Sequence, residues 1–468
     1  MKKILYLGVL LLIIVFYSGC SLIPEPSGLG IGGNEKAKVV TPNKRSTSAL
    51  EYEIVVGSIW KSSNGGHTFK SKSMIDKEVL ASYEDQKNGE NSSENTKSKA
   101  KPDDGKNKGG SGTIDNKSIT KIQDEEGNIF TTADVLSIAF HPARQKTIYV
   151  STANDGLFKT LDAGELWKPI PFPPKNVYSF VIDTRDPDNT MFASGVTVNW
   201  GKIFRTKNGG IDWEEVYTEP GDSVPITSLI QNNKSQNVFF AGTKSGTVVK
   251  SIDSGDTWKN VGKCEDYWDE RNKVAIKGEV ILGNVTDFAF DAKKISNMYL
   301  ITFSDKIYYS NKSGEEWIDW ELRKQRELEE MYYSEKPDYD KIEEFRKRME
   351  IEKTPQGIVS VAADPYISGL VYVGTNQGLY KSDSFGKWWK KINVIESVNL
   401  YPIRSIAINP RKSSEIVFVS GKAFYKTTDT GKTWEVVGLD VDRDVSFATY
   451  DLFDSNYIFV GLRKFDNN

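Results

Sequence analysis

After residue 50 the chain alternates short apolar runs with clusters of Gly, Asn, Asp and Ser, and long uninterrupted apolar segments do not occur there. Short apolar runs bounded by turn residues read as strands. The stretch 358–393 shows the unit in full: Ile358 to Ala363, Val371 to Gly374, Leu379 to Ser382, and Trp388 to Ile392.

One turn pattern punctuates these strands. It is a hydroxyl residue, then Asp or Asn two positions on, Gly two further, and an aromatic three beyond that. The copies are Ser62-Asn64-Gly66-Phe69, Thr160-Asp162-Gly164-Trp167, Thr206-Asn208-Gly210-Trp213, Ser251-Asp253-Gly255-Trp258, Ser310-Lys312-Gly314-Trp317, Ser382-Ser384-Gly386-Trp389 and Thr427-Asp429-Gly431-Trp434. A short Asp or Asn side chain accepts backbone N–H bonds, Gly supplies the positive φ that closes a hairpin, and the ring starts the next strand. Lys312 and Ser384 replace the acid or amide, so those two turns are expected to be looser. Three of the intervals, from Gly164 to Gly210, to Gly255, and from Gly386 to Gly431, are 45 or 46 residues, the length of a four-stranded propeller blade, and the two longer intervals carry insertions.

These turns resemble the Asp-box, or bacterial neuraminidase repeat. It occurs in sialidases, xyloglucan-degrading glycosidases, the sortilin family and the photosystem II stability and assembly factor family. The resemblance implies a β-propeller over most of residues 50–465 and says nothing specific about function. The ends of the chain complete the count. Val445 to Tyr450 and Tyr457 to Gly461 repeat the first two strands of a unit with no turn after them, whereas Ile59 to Phe69 supplies a third and fourth strand with no first and second. The expected fold is therefore all-β: a seven-bladed β-propeller over 51–465, closed by pairing of N- and C-terminal strands, which also removes the open edges of a linear array.

Three insertions interrupt the repeat. Residues 81–118 are rich in Lys, Ser, Asn, Asp and Gly and are expected to be disordered. Residues 319–354 hold two charged helix-forming segments either side of Pro337, with Ile342, Phe345 and Met349 near helical spacing, and predict a helical hairpin. The third, 263–284, carries Tyr267 and Trp268. All three follow a fourth strand, so they are expected on the face opposite the recurrent turns, together with the second-to-third-strand loops Asn154-Asp155, Asn199-Trp200 and Asn376-Gln377. Large loops on one side of a rigid ring form a plausible recognition surface.

The N-terminus carries a different signal. Lys2 and Lys3, an apolar run from Ile4 to Tyr17, and Ser18-Gly19-Cys20 resemble a bacterial lipoprotein signal (1–19) with Cys20 as the acylated residue, followed by a Pro- and Gly-containing tether (20–50). The run is shorter than the roughly 20 residues that span a bilayer. Extracytoplasmic anchoring to a bacterial membrane through lipid is the expectation. With Cys20 acylated, Cys264 stands alone and reads as a small buried hydrophobe.

Charge and composition narrow the chemistry. Lys plus Arg number 61 and Asp plus Glu 64, a net charge of -3, which gives no basic surface for nucleic acid. Two Cys and two His are too few for an ordinary metal cage, and neither a metal nor a cofactor is expected. A sialidase would need three arginines around a substrate carboxylate, yet Arg404 is the one arginine placed at the start of an inner strand, and the Arg-Ile-Pro signature of that family is absent. A glycosidase would need two carboxylates separated by about 5–9.5 Å, for which Asp155 and Asp287 are the best placed. The candidate binding face is thus Asn154, Asp155, Asn199, Trp200, Tyr267, Trp268, Asp287, Asn376, Gln377 and Arg404. The expected role is a scaffold for a protein client, without catalysis. The alternative is a glycan-binding protein or glycoside hydrolase, with Trp200, Trp268 and nearby acids around the sugar.

Overall fold

The structure is a computed structural model and describes residues 58–73, 123–124, 127–128, 133–281, 283–303, 306–394 and 401–465. The signal and tether segments, Cys20 and residues 81–118 lie outside the described residues.

Seven four-stranded antiparallel sheets form the blades of a propeller. Blade 1 runs from its inner strand Val135–Phe140 through Ile148–Thr152 and Leu157–Thr160 to the outer strand Lys168–Ile170. Blades 2 to 6 begin at Ser179–Ile182, Ile226–Gln231, Val285–Phe290, Ile358–Ala363 and Ile403–Ile408 and repeat that order. Blade 7 takes its inner strands, Asp444–Tyr450 and Ile458–Arg463, from the C-terminal part of the chain and its outer strands, Ile59–Ser62 and Lys70–Ser71, from the N-terminal part. Buried apolar residues gather into seven clusters, each shared by two adjacent blades, so the core is a set of seams. Each fully buried large side chain in a seam contributes about 1.5–3 kcal/mol.

The shared blade is bonded on three sides. Ile59, Trp60, Lys61 and Ser62 pair with Gly461, Val460, Phe459 and Ile458. Lys426 Nζ of blade 6 donates to Gly65 O at 2.7 Å, and the Trp167 indole of blade 1 donates to Lys72 O at 2.7 Å. Ser446 Oγ closes the inner ring by donating to Val135 O at 3.0 Å.

All seven recurrent turns share one geometry. The residue before the Gly and the Gly itself take positive φ in every copy, from 54° at Ser313 to 96° at Gly66. The hydroxyl of the first residue accepts the Gly N–H at 2.8–3.0 Å in every copy. The acid or amide adds an outer clasp: Asp253 Oδ1 accepts the Ser251 hydroxyl at 2.8 Å and Thr257 N–H at 2.9 Å. At Ser384 a hydroxyl accepts Trp388 N–H at 2.9 Å in its place, while Lys312 instead reaches out to Glu316 at 2.6 Å. The hydroxyl-to-Gly bond is therefore the constant part of the turn, and the two substituted copies keep it.

The two described insertions depart from expectation in position. Neither stays on the face opposite the turns, hereafter the far face; both run along the outer wall. Residues 263–265 climb the outer edge of blade 4, with Trp317 N–H donating to Lys263 O and Glu265 N–H to Trp317 O. The hairpin Tyr267–Asp269/Val274–Ile276 follows. The outer strand of blade 4, Ile318–Asp319, is only two residues long because Asp319 caps helix α1 (Trp320–Tyr332), accepting N–H bonds from Glu321 and Leu322. Helix α2 (Tyr339–Ile351) returns antiparallel after Pro337. Trp320 Nε1 donates to Phe385 O in the recurrent turn of blade 5 at 2.8 Å, and Lys387 of that turn pairs with Glu327 at 2.6 Å. Trp388, adjacent to the pattern's Trp389, lies beneath the arm with Phe345 edge-on and Arg348 4.4 Å from its ring centroid. Cation–π contacts and edge-on aromatic packing thus fasten a charged arm to the wall.

Candidate functional site

Inner strands enter the central channel from the far face. In six of the seven described inner strands the pairing register shifts after the first or, in blade 7, the second residue, a β-bulge, before Ser137, Ser228, Asp287, Ser360, Ser405 and Phe447. These six residues, with Ser179 of blade 2, line a cavity of about 440 Å3. Repetition has made this layer mostly serine, and blade 4 departs from it with a carboxyl.

The channel hydroxyls stitch blade to blade. Ser179 donates to Leu229 O at 3.4 Å, Thr227 to Val285 O at 2.5 Å, Ser360 to Ile403 O at 2.8 Å, and Ser405 to Ala448 O at 3.3 Å. With Ser446 this covers five seams, and each of these hydroxyls has committed its single proton to backbone.

Asp287 and Arg404 are the two charged residues lining the cavity. Asp287 Oδ1 accepts Phe288 N–H at 2.8 Å, and burial pushes its carboxyl up to about 7 against that bond. Arg404 has a buried Nε without a hydrogen-bond partner, and its guanidinium lies 3.3 Å from the Phe465 ring centroid. Burial lowers its pKa and Asp444 partly offsets that.

The other candidates separate into two places. Asn154, Asp155, Asn199, Trp200, Asn376 and Gln377 sit on second-to-third-strand loops of the far face. Val198 and Asn199 take φ of 46° and 67°, the two-residue hairpin turn that leaves Trp200 42% exposed. The Asp155 carboxyl is shifted upward first by surrounding protein and then by the Asp134 carboxylate. Asp155 does not line the cavity that holds Asp287, so the structure does not join the two acids in one site. Tyr267 and Trp268 are on the outer wall: the Arg326 guanidinium of α1 stacks 3.4 Å from the Tyr267 ring centroid, and Glu265 pairs with Arg323 at 2.6 Å.

Sequence reasoning missed three far-face residues. Val198 is 90% exposed, Phe303 68% and Tyr401 50%, and with Trp200 they put apolar side chains on far-face loops of blades 2, 4 and 6. Single loop residues carry no periodic signal that marks them. Among the remaining reactive side chains, His141 Nε2 meets Asp188 at 3.0 Å while its Nδ1 accepts Ala143 N–H, a buried turn brace. Cys264 is buried in the seam of blades 3 and 4, and burial pushes its thiol up to about 11.

No family model and no curated protein matches the sequence. Among solved structures, the chain is similar to the GH74 xyloglucanase of Xanthomonas campestris, with 15% identity, TM-score 0.51, and coverage of 71% of this chain and 51% of that one. YCF48 from Cyanidioschyzon merolae, at 15% identity and TM-score 0.46, covers 71% of this chain and 95% of that one. A YCF48 bound to D1 peptide gives 13% identity, TM-score 0.47, and coverage of 71% and 94%. The chain spans about half the length of the xyloglucanase, and a likeness at such identity shows the fold alone. The molecule is a seven-bladed β-propeller.

Proposed function

We propose that the protein is a lipid-anchored, extracytoplasmic scaffold that binds a protein client on its far face without chemistry. The observation that carries this reading is that Val198, Trp200, Phe303 and Tyr401 are exposed on far-face loops that differ from blade to blade, whereas the apolar residues exposed at the other end, such as Leu161, Ile211 and Ile252, sit on the repeated turns. Exposed apolar and aromatic side chains on one end of a rigid frame suit burial against another macromolecule. A second support is the channel itself, where Asp287 is the one acid among the lining residues and a glycosidase needs two. On this reading the recurrent turns are Asp-box turns, and Cys20, acylated, ties the ring to a membrane by way of residues 21–50.

The test places a photo-crosslinking residue at Phe303 or Tyr401 in the full chain and illuminates native membranes. A protein adduct formed at both positions and absent from an outer-wall position such as Trp268 supports the scaffold. A soluble form lacking residues 1–20, incubated with a panel of polysaccharides, addresses the glycan alternative, for which the exposed Trp200 indole offers a stacking platform. Shortened products, or retention that Trp200→Ala abolishes, would replace the scaffold reading. Metabolic labelling with a palmitate analogue, lost in Cys20→Ala, tests the anchor.

A further inference from the structure

The channel has properties that client docking on the far face does not use. Five of its wall hydroxyls, at Ser179, Thr227, Ser360, Ser405 and Ser446, donate to backbone carbonyls, and Ser179 and Ser405 also accept one backbone N–H each, so what these five offer the lumen is remaining acceptor capacity. Into this acceptor-lined tube blade 4 places Asp287, whose one protein partner among the described residues is the neighbouring Phe288 N–H. No described Lys or Arg pairs with it. The carboxyl is half-buried and has no cation beside it, and a ligand that brings a positive charge and several N–H donors supplies what the protein does not.

We propose that the central channel is a binding site for a compact organic monocation, a primary ammonium or guanidinium group, held by Asp287 and the serine layer. The cavity, about 440 Å3, is within the range of roughly 300–1,000 Å3 typical of small-ligand sites. Arg404 lines the same cavity from blade 6 and opposes a second positive charge, which limits the ligand to one. The source of the cation is either a free amine or a lysine or arginine side chain of an inserted protein segment.

Titrating butylammonium chloride, and separately an acetylated and amidated Gly-Gly-Lys-Gly-Gly peptide, into the protein with ligand-observed NMR tests this. Saturable binding of at least one probe is expected at pH 8. It should weaken about tenfold at pH 6, because the Asp287 carboxyl, raised to about 7, is then mostly protonated. The other titratable groups on the cavity wall are Tyr178 and Arg404. Asp287→Asn is isosteric and removes an unpaired charge, so the variant is expected to fold and to lose binding at both pH values. Tighter binding of the peptide identifies an inserted side chain as the source, and tighter binding of butylammonium a free amine. Absence of saturable binding by both probes at pH 8, or equal binding to Asp287→Asn, overturns the proposal.

Discussion

The two ends of the ring use the same strands in opposite ways. At the end carrying the recurrent turns, seven copies repeat one hydroxyl-to-Gly bond and one pair of positive φ values, and their rings are drawn into the seams between blades. At the far end each blade differs: Trp200 on blade 2, Phe303 on blade 4, Arg404 and Tyr401 on blade 6. Repetition serves the fold, and on the proposed function departures from it mark the surfaces left for binding. Asp287 is the same lesson inside the channel, one carboxyl in a layer that is otherwise mostly serine.

If that division holds, substitutions at the turn end cost stability, and those at the far end alter binding. Gly255→Ala is expected to have the largest effect. Gly255 has φ of +83°, and an added Cβ would lie 2.4 Å from the Phe192 ring of the neighbouring blade. Left-handed strain and overpacking together cost about 3 kcal/mol or more, read as a lowered midpoint in chemical denaturation.

Asp287→Asn should move stability the other way, and with pH. A carboxyl whose folded pKa lies above its unfolded value burdens the folded state increasingly as pH rises from about 4 through about 7. The variant should be more stable at pH 8, on the order of 2 kcal/mol once water in the cavity is allowed for, and unchanged near pH 4. The turn carboxyl Asp253 has the opposite sign. The Thr257 hydroxyl and N–H hold it down to about 2, so its contribution is complete above about pH 4 and is lost as pH falls through about 2. Thermal melts of wild type and the two Asp→Asn variants across pH 2–8 check both signs.

Lys312→Asp would restore the outer clasp in blade 4. A gain of about 0.5–1 kcal/mol is expected, the net worth of one hydrogen bond, measured by the shift in denaturation midpoint. A loss instead would mean that the Lys312–Glu316 pair is worth more than the clasp. The smallest effect on stability should come from Trp200→Ser with Phe303→Ser, within about 0.5 kcal/mol of wild type, as for exposed side chains generally.

The blade number and the shared seventh blade were legible in the sequence because the turn's spacing is rigid: Gly66 and Gly431 announce the same hairpin wherever they occur. The direction of the insertions was not. Topology fixes where residue 319 leaves a blade, whereas the path of a long arm is set by what it can cover, here Trp388. The adjacent pair Trp388-Trp389, just before the strand Lys390–Ile392, was a usable signal, since two neighbouring rings do not both fit one seam and the second needed a cover of its own. The hub role of the hydroxyl was hidden behind the more conspicuous Asp, and Lys312 and Ser384 reveal it by keeping the bond without the acid. The serine layer was invisible because a bulge shifts its register by one residue in six blades.

Crosslinked client recovery from native membranes, compared between wild type and the Trp200→Ser/Phe303→Ser/Tyr401→Ser variant, most directly tests whether the far end is the binding end. Recovery should fall at least tenfold while the melting temperature stays within about 2 °C, the shift expected of a sub-kcal/mol change. Undiminished recovery from a variant that melts like wild type would contradict the assignment.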